Sequence, residues 1–184
     1  MHRLILLLAA LIGALLSLPA TANDYPDYLT FGGGISDFDK NHGGRSSIDT
    51  RIEYQNGISL LPLISQSFDS VDPYFQIHPT VGFEANMHSA AYANGGLNLD
   101  VRFLTHGIFT WGEAAGLFER GDDERLGSML EFRSQLEVGW QFDNQLRVTG
   151  YISHISNADI VRDNAGAEII GGYTHIPFSI LGLK

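Results

Sequence analysis

His154 and Ser156 stand two residues apart. In an extended chain that step puts both side chains on one face. A serine hydroxyl is a weak nucleophile until a base takes its proton, and a neighbouring imidazole is a common base for the task. Glu168 follows twelve residues after Ser156, and a carboxylate at that distance can return on an adjacent strand to orient the imidazole. The chemistry this set suits is nucleophilic catalysis by a serine with a histidine base. The chain has no cysteine, which excludes a thiolate nucleophile, a disulfide framework and a Cys-based zinc or iron–sulfur site. His78, Glu84 and His88 span a strand and its loop, and read as lumenal or loop residues rather than metal ligands. Asp122-Asp123-Glu124 reads as a solvated loop. No metal and no cofactor is expected. The formal net charge of −10 argues against nucleic acid as a partner, because phosphate binding calls for a basic patch.

The elements that must hold these residues alternate with a period of two. Leu130, Phe132, Ser134, Leu136, Val138, Trp140 and Phe142 alternate with Glu131, Arg133, Gln135, Glu137 and Gln141. Ile48 to Gln55 and Leu97 to Phe103 repeat the pattern. Period-two alternation is the mark of a strand with one apolar and one polar face, and a one-residue slip would exchange those faces. Eight strands are expected, near 27–37, 47–56, 73–86, 90–104, 107–119, 127–142, 145–156 and 167–178. Asp143-Asn144 is a tight hairpin turn. Residues 57–72 are too apolar for a simple turn and read as a strand extension, a bulge or an interfacial segment. Gly32-Gly33-Gly34 has no helix after it, so a kink or packing role is expected rather than a phosphate loop.

Residues 1–22 read as a secretory signal peptide. Arg3 precedes an apolar run from Leu4 to Leu18, and Ala20-Thr21-Ala22 forms an A-x-A cleavage site. The mature domain would then be 23–184. Beyond it no segment is apolar enough for a transmembrane helix. The fold expected is all-β, an eight-stranded antiparallel transmembrane β-barrel with an apolar exterior and a polar interior. A soluble barrel of the lipocalin type shares the alternation, which does not say which face points inward. Three features favour the membrane. Charges of both signs share the polar face. Aromatic residues (Tyr54, Phe103, Trp140, Phe142, Phe178) sit toward strand ends. No lysine lies between Lys40 and Lys184. The zero mean hydropathy (+0.00) fits two opposed faces that cancel.

In such a barrel His154 and Ser156 continue the apolar face of Leu146, Val148, Gly150 and Ile152. Polar groups there are unfavourable for a purely structural wall. Taken alone, His154 fits a girdle role better than catalysis; joined to Ser156 and Glu168 it fits catalysis better. With both termini periplasmic, the seventh strand ends and the eighth begins at the cell-surface side. A non-catalytic barrel, an esterase for another acyl ester and a periplasmic lipid-binding barrel remain alternatives. The sequence does not separate a monomer from a homodimer.

His154-Ile155-Ser156-Asn157-Ala158, then Asn164-Ala165-Gly166-Ala167-Glu168 and Ile176-Pro177-Phe178, resemble the active-site region of the PagL lipid A 3-O-deacylases. Leu130-Glu131-Phe132-Arg133 and Glu137-Val138-Gly139-Trp140-Gln141-Phe142 resemble the strand before that motif. The resemblance covers residues 107–178. It implies an outer-membrane enzyme acting on lipid A of lipopolysaccharide, with Ser156 as nucleophile, His154 as base, Glu168 orienting His154, and the Asn157 side chain in the oxyanion hole. Two features depart from the family. Asp159 occupies a position often held by glycine, where a carboxylate could disturb oxyanion binding. The chain also ends in Ser179-Ile180-Leu181-Gly182-Leu183-Lys184 instead of an aromatic residue, so Phe178 is the expected strand end.

Overall fold

The computed structural model describes residues 25–37, 46–61, 74–123 and 126–183. The signal-peptide segment lies outside them. Eight antiparallel strands close into a barrel in sequence order. They are β1 (Tyr28–Ser36), β2 (Ser47–Gln55), β3 (Phe75–Asn86), β4 (Ala91–Phe103), β5 (Gly107–Glu119), β6 (Leu130–Gln141), β7 (Arg147–Ser156) and β8 (Ala167–Pro177). Pairing of β1 with β8 closes the ring, so every strand has two neighbours and no edge is left to bare backbone polar groups.

The orientation of the faces is that of a membrane protein. Phe31, Ile52, Phe83, Leu97, Trp111, Leu136, Val138, Val148 and Ile170 are exposed. Asp49, Arg51, Glu53, Asp100, Glu131, Arg133, Glu137 and Arg147 are buried. Water would penalise that outer wall; hydrocarbon does not. Most of the inward charges meet partners of opposite sign. Arg51 Nε lies 2.9 Å from Asp49 Oδ1 and 2.8 Å from Glu84 Oε2. Arg133 pairs with Glu53 at 2.6 Å, and Arg147 with Asp100 at 2.6 Å. His78 is buried, with Nδ1 3.1 Å from the Ile58 carbonyl, while His88 lies beside Asp123 at 3.8 Å. The three residues weighed as metal ligands are thus separated. Asp123 accepts from Asn86 Nδ2, and Glu124 lies outside the described residues.

The glycines of β1 have a packing role. A Cβ on Gly32 would stand 2.3 Å from the Tyr173 ring, and one on Gly34 would stand 2.6 Å from the Tyr151 hydroxyl. Those two tyrosines stack at 4.4 Å between ring centroids and fill the bore beside β1.

The five aromatic residues singled out from strand ends all lie at one end of the barrel, opposite His154. Phe103, Trp140 and Phe142 are exposed there, and the Tyr54 and Phe178 rings are 5.6 Å apart. This is the arrangement of an interfacial girdle. The hairpin at Asp143-Asn144 includes Gln145 at φ 67, with Gln145 N donating to Phe142 O at 2.8 Å. That extra turn residue delays β7 to Arg147. After β2 the chain continues along β3, with Asn56 N donating to Pro79 O and Leu60 N to Ile77 O. Residues 56–61 are not strand. The chain advances four residues, Asn56 to Leu60, against two of β3, Pro79 to Ile77, which fits the expected bulge better than a strand extension; residues 62–73 lie outside the description. β8 ends at Pro177, and Phe178 N donates to Asp27 O at 2.9 Å, before a short turn.

Candidate functional site

Register brings the proposed groups together. His154 of β7 is directly opposite Glu168 of β8. His154 Nδ1 and Glu168 Oε1 are 2.9 Å apart. Both side chains point outward, and the imidazole is 48% exposed while Glu168 is 22% exposed. The pair therefore stands on the outer wall, open to a ligand arriving through the membrane. Its geometry fixes the imidazole: a carboxylate on Nδ1 makes that nitrogen the N–H donor and leaves Nε2 as the basic lone pair.

Ser156 closes β7 on the same face, one pleat nearer the loop. Two residues of strand span about 7 Å. Ser156 and His154 are not hydrogen-bonded to each other; a catalytic contact of this kind commonly tightens only when substrate binds. Beyond Ser156 the chain turns away sharply, because Ala158 and Asp159 both adopt left-handed backbone (φ 52 and 59). That conformation explains why glycine suits position 159, and aspartate is among the few other residues that tolerate it. The Asp159 carboxylate accepts from Asn164 Nδ2 at 2.8 Å, so it braces the loop.

Asn157 is placed differently from the role the resemblance implies. It is completely buried. Its Nδ2 donates to Leu126 O and to Asp163 O, each at 2.7 Å, and its backbone N–H donates to Asn164 Oδ1 at 3.0 Å. An amide has two side-chain hydrogens, and both are engaged. In this structure Asn157 ties the β5–β6 connection to the β7–β8 connection, and binding an oxyanion would require it to release one carbonyl.

Gly166, quoted above only as part of a motif, holds the other side of the imidazole. Its φ is +74, and a Cβ there would come 2.7 Å from His154 Cε1. The ring is thus confined between Glu168 and a glycine backbone. The positive φ is the physical reason for glycine at this position.

The pair opens into a groove of about 490 Å³ on the outer wall, lined by Trp111, Glu113, Ser134, Leu136, Ile152 and His154 among others. A second groove of about 420 Å³ shares Leu136 and Ile152 and continues down the wall past Val138, Gly150 and Ile170. Gly150, Gly172 and Gly33 are in register on three neighbouring strands and leave this stretch of wall without side chains. Together the grooves offer a polar head beside His154 and an apolar channel beneath it, the shape an acyl chain requires. Glu113 and Ser134 escape a reading of β7 and β8 alone. The available signal is an acid at an outward position of β5, between Trp111 and Ala115.

A model of the lipid A 3-O-deacylase (PagL) family matches residues 84–177, which include His154, Ser156 and Glu168. Comparison with curated proteins finds no match. Among solved structures, the crystal structure of the outer membrane enzyme PagL aligns with a TM-score of 0.63 and 18% identity, covering 82% of this chain and 99% of that one. A de novo designed transmembrane β-barrel aligns with a TM-score of 0.50 and 10% identity, covering 84% of this chain and 99% of that one. At these identities the structural likeness is one of fold. The family match spans half of the chain and takes in the whole outer-wall constellation: the protein belongs to the lipid A 3-O-deacylase (PagL) family.

Proposed function

We propose that this protein is exported by its N-terminal segment, resides in the outer membrane and hydrolyses the ester-linked 3-hydroxyacyl chain at position 3 of lipid A. The observation that carries the mechanism is the His154–Glu168 pair at 2.9 Å on the outer wall, beside Ser156. Glu168 holds His154 with its Nε2 free. Nε2 takes the Ser156 proton as Oγ attacks the ester carbonyl. The tetrahedral intermediate collapses to an acyl-Ser156 ester, and His154 returns the proton to the departing sugar oxygen. Water, deprotonated by His154, then attacks the acyl-enzyme and releases the hydroxy fatty acid. With both termini periplasmic, β7 ends at the cell-surface side, and this chemistry falls at the outer leaflet, where lipid A lies. Apolar contact along the lower groove holds the chain, which suits an acidic protein acting on a phosphorylated lipid.

The test is expression in a Gram-negative host that lacks the activity, followed by mass spectrometry of its lipid A. A species short of one position-3 hydroxyacyl chain is expected. An unchanged profile, with the folded barrel present in the outer membrane, would refute the assignment.

Two variants probe the pair. Glu168→Gln should lower the deacylation rate by about 10²–10⁴-fold, as loss of the orienting carboxylate does in related triads. The readout is the rate of fatty-acid release from purified lipid A. Gly166→Ala should lower it by about 10²-fold, because a methyl at 2.7 Å from Cε1 displaces the imidazole and misplacement of about 1 Å carries that cost. A fully active Gly166→Ala protein would show that the ring is not confined by this backbone.

A further inference from the structure

A second polar group stands on the outer wall, in the same row as His154. Glu113 of β5 is opposite Ser134 of β6, and Ser134 is opposite His154 of β7. Each step between paired strands is about 5 Å, so Ser134 lies between Glu113 and the imidazole. Both Glu113 and Ser134 are exposed. The carboxylate is held in place: Trp111 Nε1 donates to Oε1 at 2.7 Å, and Ser134 Oγ donates to Oε2 at 2.8 Å. All three residues line the groove that contains His154 and Glu168.

A carboxylate on a wall that faces lipid is unfavourable unless something answers it. Trp111 and Ser134 orient it without neutralising it. Each carboxylate oxygen has a further acceptor direction, and Ser134 Oγ, its hydrogen given to Glu113, also has only acceptor capacity left. The site therefore takes a hydrogen-bond donor. A phosphate, anionic and rich in acceptors, is repelled. The acyl chain of the proposed substrate carries a donor close to the reacting centre, since its β-hydroxyl oxygen is two carbon–carbon bonds and one carbon–oxygen bond, each about 1.5 Å, from the ester carbonyl carbon. With the carbonyl beside His154, that hydroxyl can reach one strand across to Ser134, where the Glu113 carboxylate leans in from the next strand to 2.8 Å from Ser134 Oγ.

We propose that Glu113 and Ser134, with Trp111 bracing the carboxylate, form a specificity site that binds the β-hydroxyl of the acyl chain being removed. The proposal rests on the deacylase reading above. Glu113 discriminates hydroxylated from plain chains, and the apolar groove below holds either equally. A sugar hydroxyl or an amide N–H of lipid A offers the same donor chemistry, so the test isolates the β-hydroxyl.

Two lipid A substrates that differ only in the presence of that hydroxyl are compared on wild type, Glu113→Leu and Ser134→Ala. Leucine suits an outer wall, and heat-modifiable gel migration verifies folding. Wild type should favour the hydroxylated substrate by about 10–100-fold in kcat/KM, the range of a hydrogen bond to a charged group. Glu113→Leu should bring the ratio close to one by slowing only that substrate, and Ser134→Ala should reduce the ratio in the same direction. An equal loss on both substrates would assign the carboxylate to another donor of lipid A and overturn the proposal. So would an unchanged ratio. A binding arm does not depend on turnover. In Ser156→Ala protein that also carries Trp140→Phe, held in phospholipid nanodiscs with a tryptophan-free scaffold, Trp111 fluorescence is titrated with a β-hydroxy fatty methyl ester and with its plain counterpart. About tenfold tighter binding of the hydroxy ester is expected, lost on adding Glu113→Leu. If neither lipid A substrate is cleaved but this preference holds, the deacylase reading fails and the hydroxyl site stands. If both are cleaved without preference, the site fails and the deacylase reading stands.

Discussion

Ser156→Ala is expected to stop release of the position-3 acyl chain, with a loss of about 10³–10⁶-fold, because removal of a nucleophile leaves only binding and electrostatic assistance. Lipid A mass spectrometry should show the intact species, while the protein should still reach the outer membrane and migrate as a folded barrel. The change deletes one oxygen from a half-buried side chain at the end of β7. The barrel's closure depends on strand pairing and lumenal packing, so folding should be unaffected. The contrast with Glu168→Gln is informative. The orienting residue acts through His154, so its loss should leave slow turnover, whereas loss of the attacking atom should leave almost none. If Ser156→Ala retained more than about a tenth of wild-type activity, the acyl-enzyme route would be wrong. A water attacking directly, activated by His154, would then be the better mechanism.

The second large effect concerns the interior. Arg51→Met should destabilise the barrel by about 3–5 kcal/mol, the usual consequence of leaving buried charges without their partner. Arg51 is 3% exposed. It contacts Asp49 and Glu84, donates to Gln135 Oε1 at 2.8 Å and to Ser153 Oγ at 2.9 Å, and lies over the Tyr151 ring at 4.5 Å. Methionine keeps the apolar stem and removes all five donors. Asp49 would then lose its cation and face Glu84, which would keep only its longer contact with Arg133 at 3.5 Å. Urea unfolding from lipid vesicles measures the loss, and adding Glu84→Gln should recover part of it. A loss below about 1 kcal/mol would mean that water enters the bore and takes the guanidinium's place. Ser153 and Tyr151 belong to β7, so this cluster also supports the strand that carries His154 and Ser156.

The strands are readable from sequence because a polar bore and an apolar wall impose a strict two-residue period. β5 runs over 107–119, as its pattern indicates. β6 is the informative exception. Its pattern suggests a start near 127, yet pairing begins at Leu130. Gly127 has φ +92, and the Leu126 carbonyl is held by Asn157. A residue 31 positions after Leu126 thus takes the backbone group that would have extended the strand. Alternation alone does not give the direction of the faces, since it is symmetric; charges of both signs on the polar face, strand-end aromatics and the lysine-free stretch point to an apolar exterior. It becomes definite only when Arg51, Arg133 and Arg147 are seen to meet carboxylates across the bore. The His154–Glu168 contact is readable because both lie on outward positions of consecutive strands. The engagement of Asn157 is not, because its partners Leu126 and Asp163 lie in two separate connections; the position of Glu113 beside Ser134 is not, because the β5–β6 connection leaves the register of those two consecutive strands open.

The filled bore has a consequence for the cell as a whole. Guanidinium–carboxylate pairs and stacked tyrosines occupy the axis of the barrel, and the cavity at its loop end, between Asp49, Glu84 and Tyr92, measures only about 30 Å³, room for a single water. Among the described residues the barrel is thus plugged by side chains rather than open as a pore. Under the proposed function, an enzyme of this build would work on the membrane around it without being a channel through it.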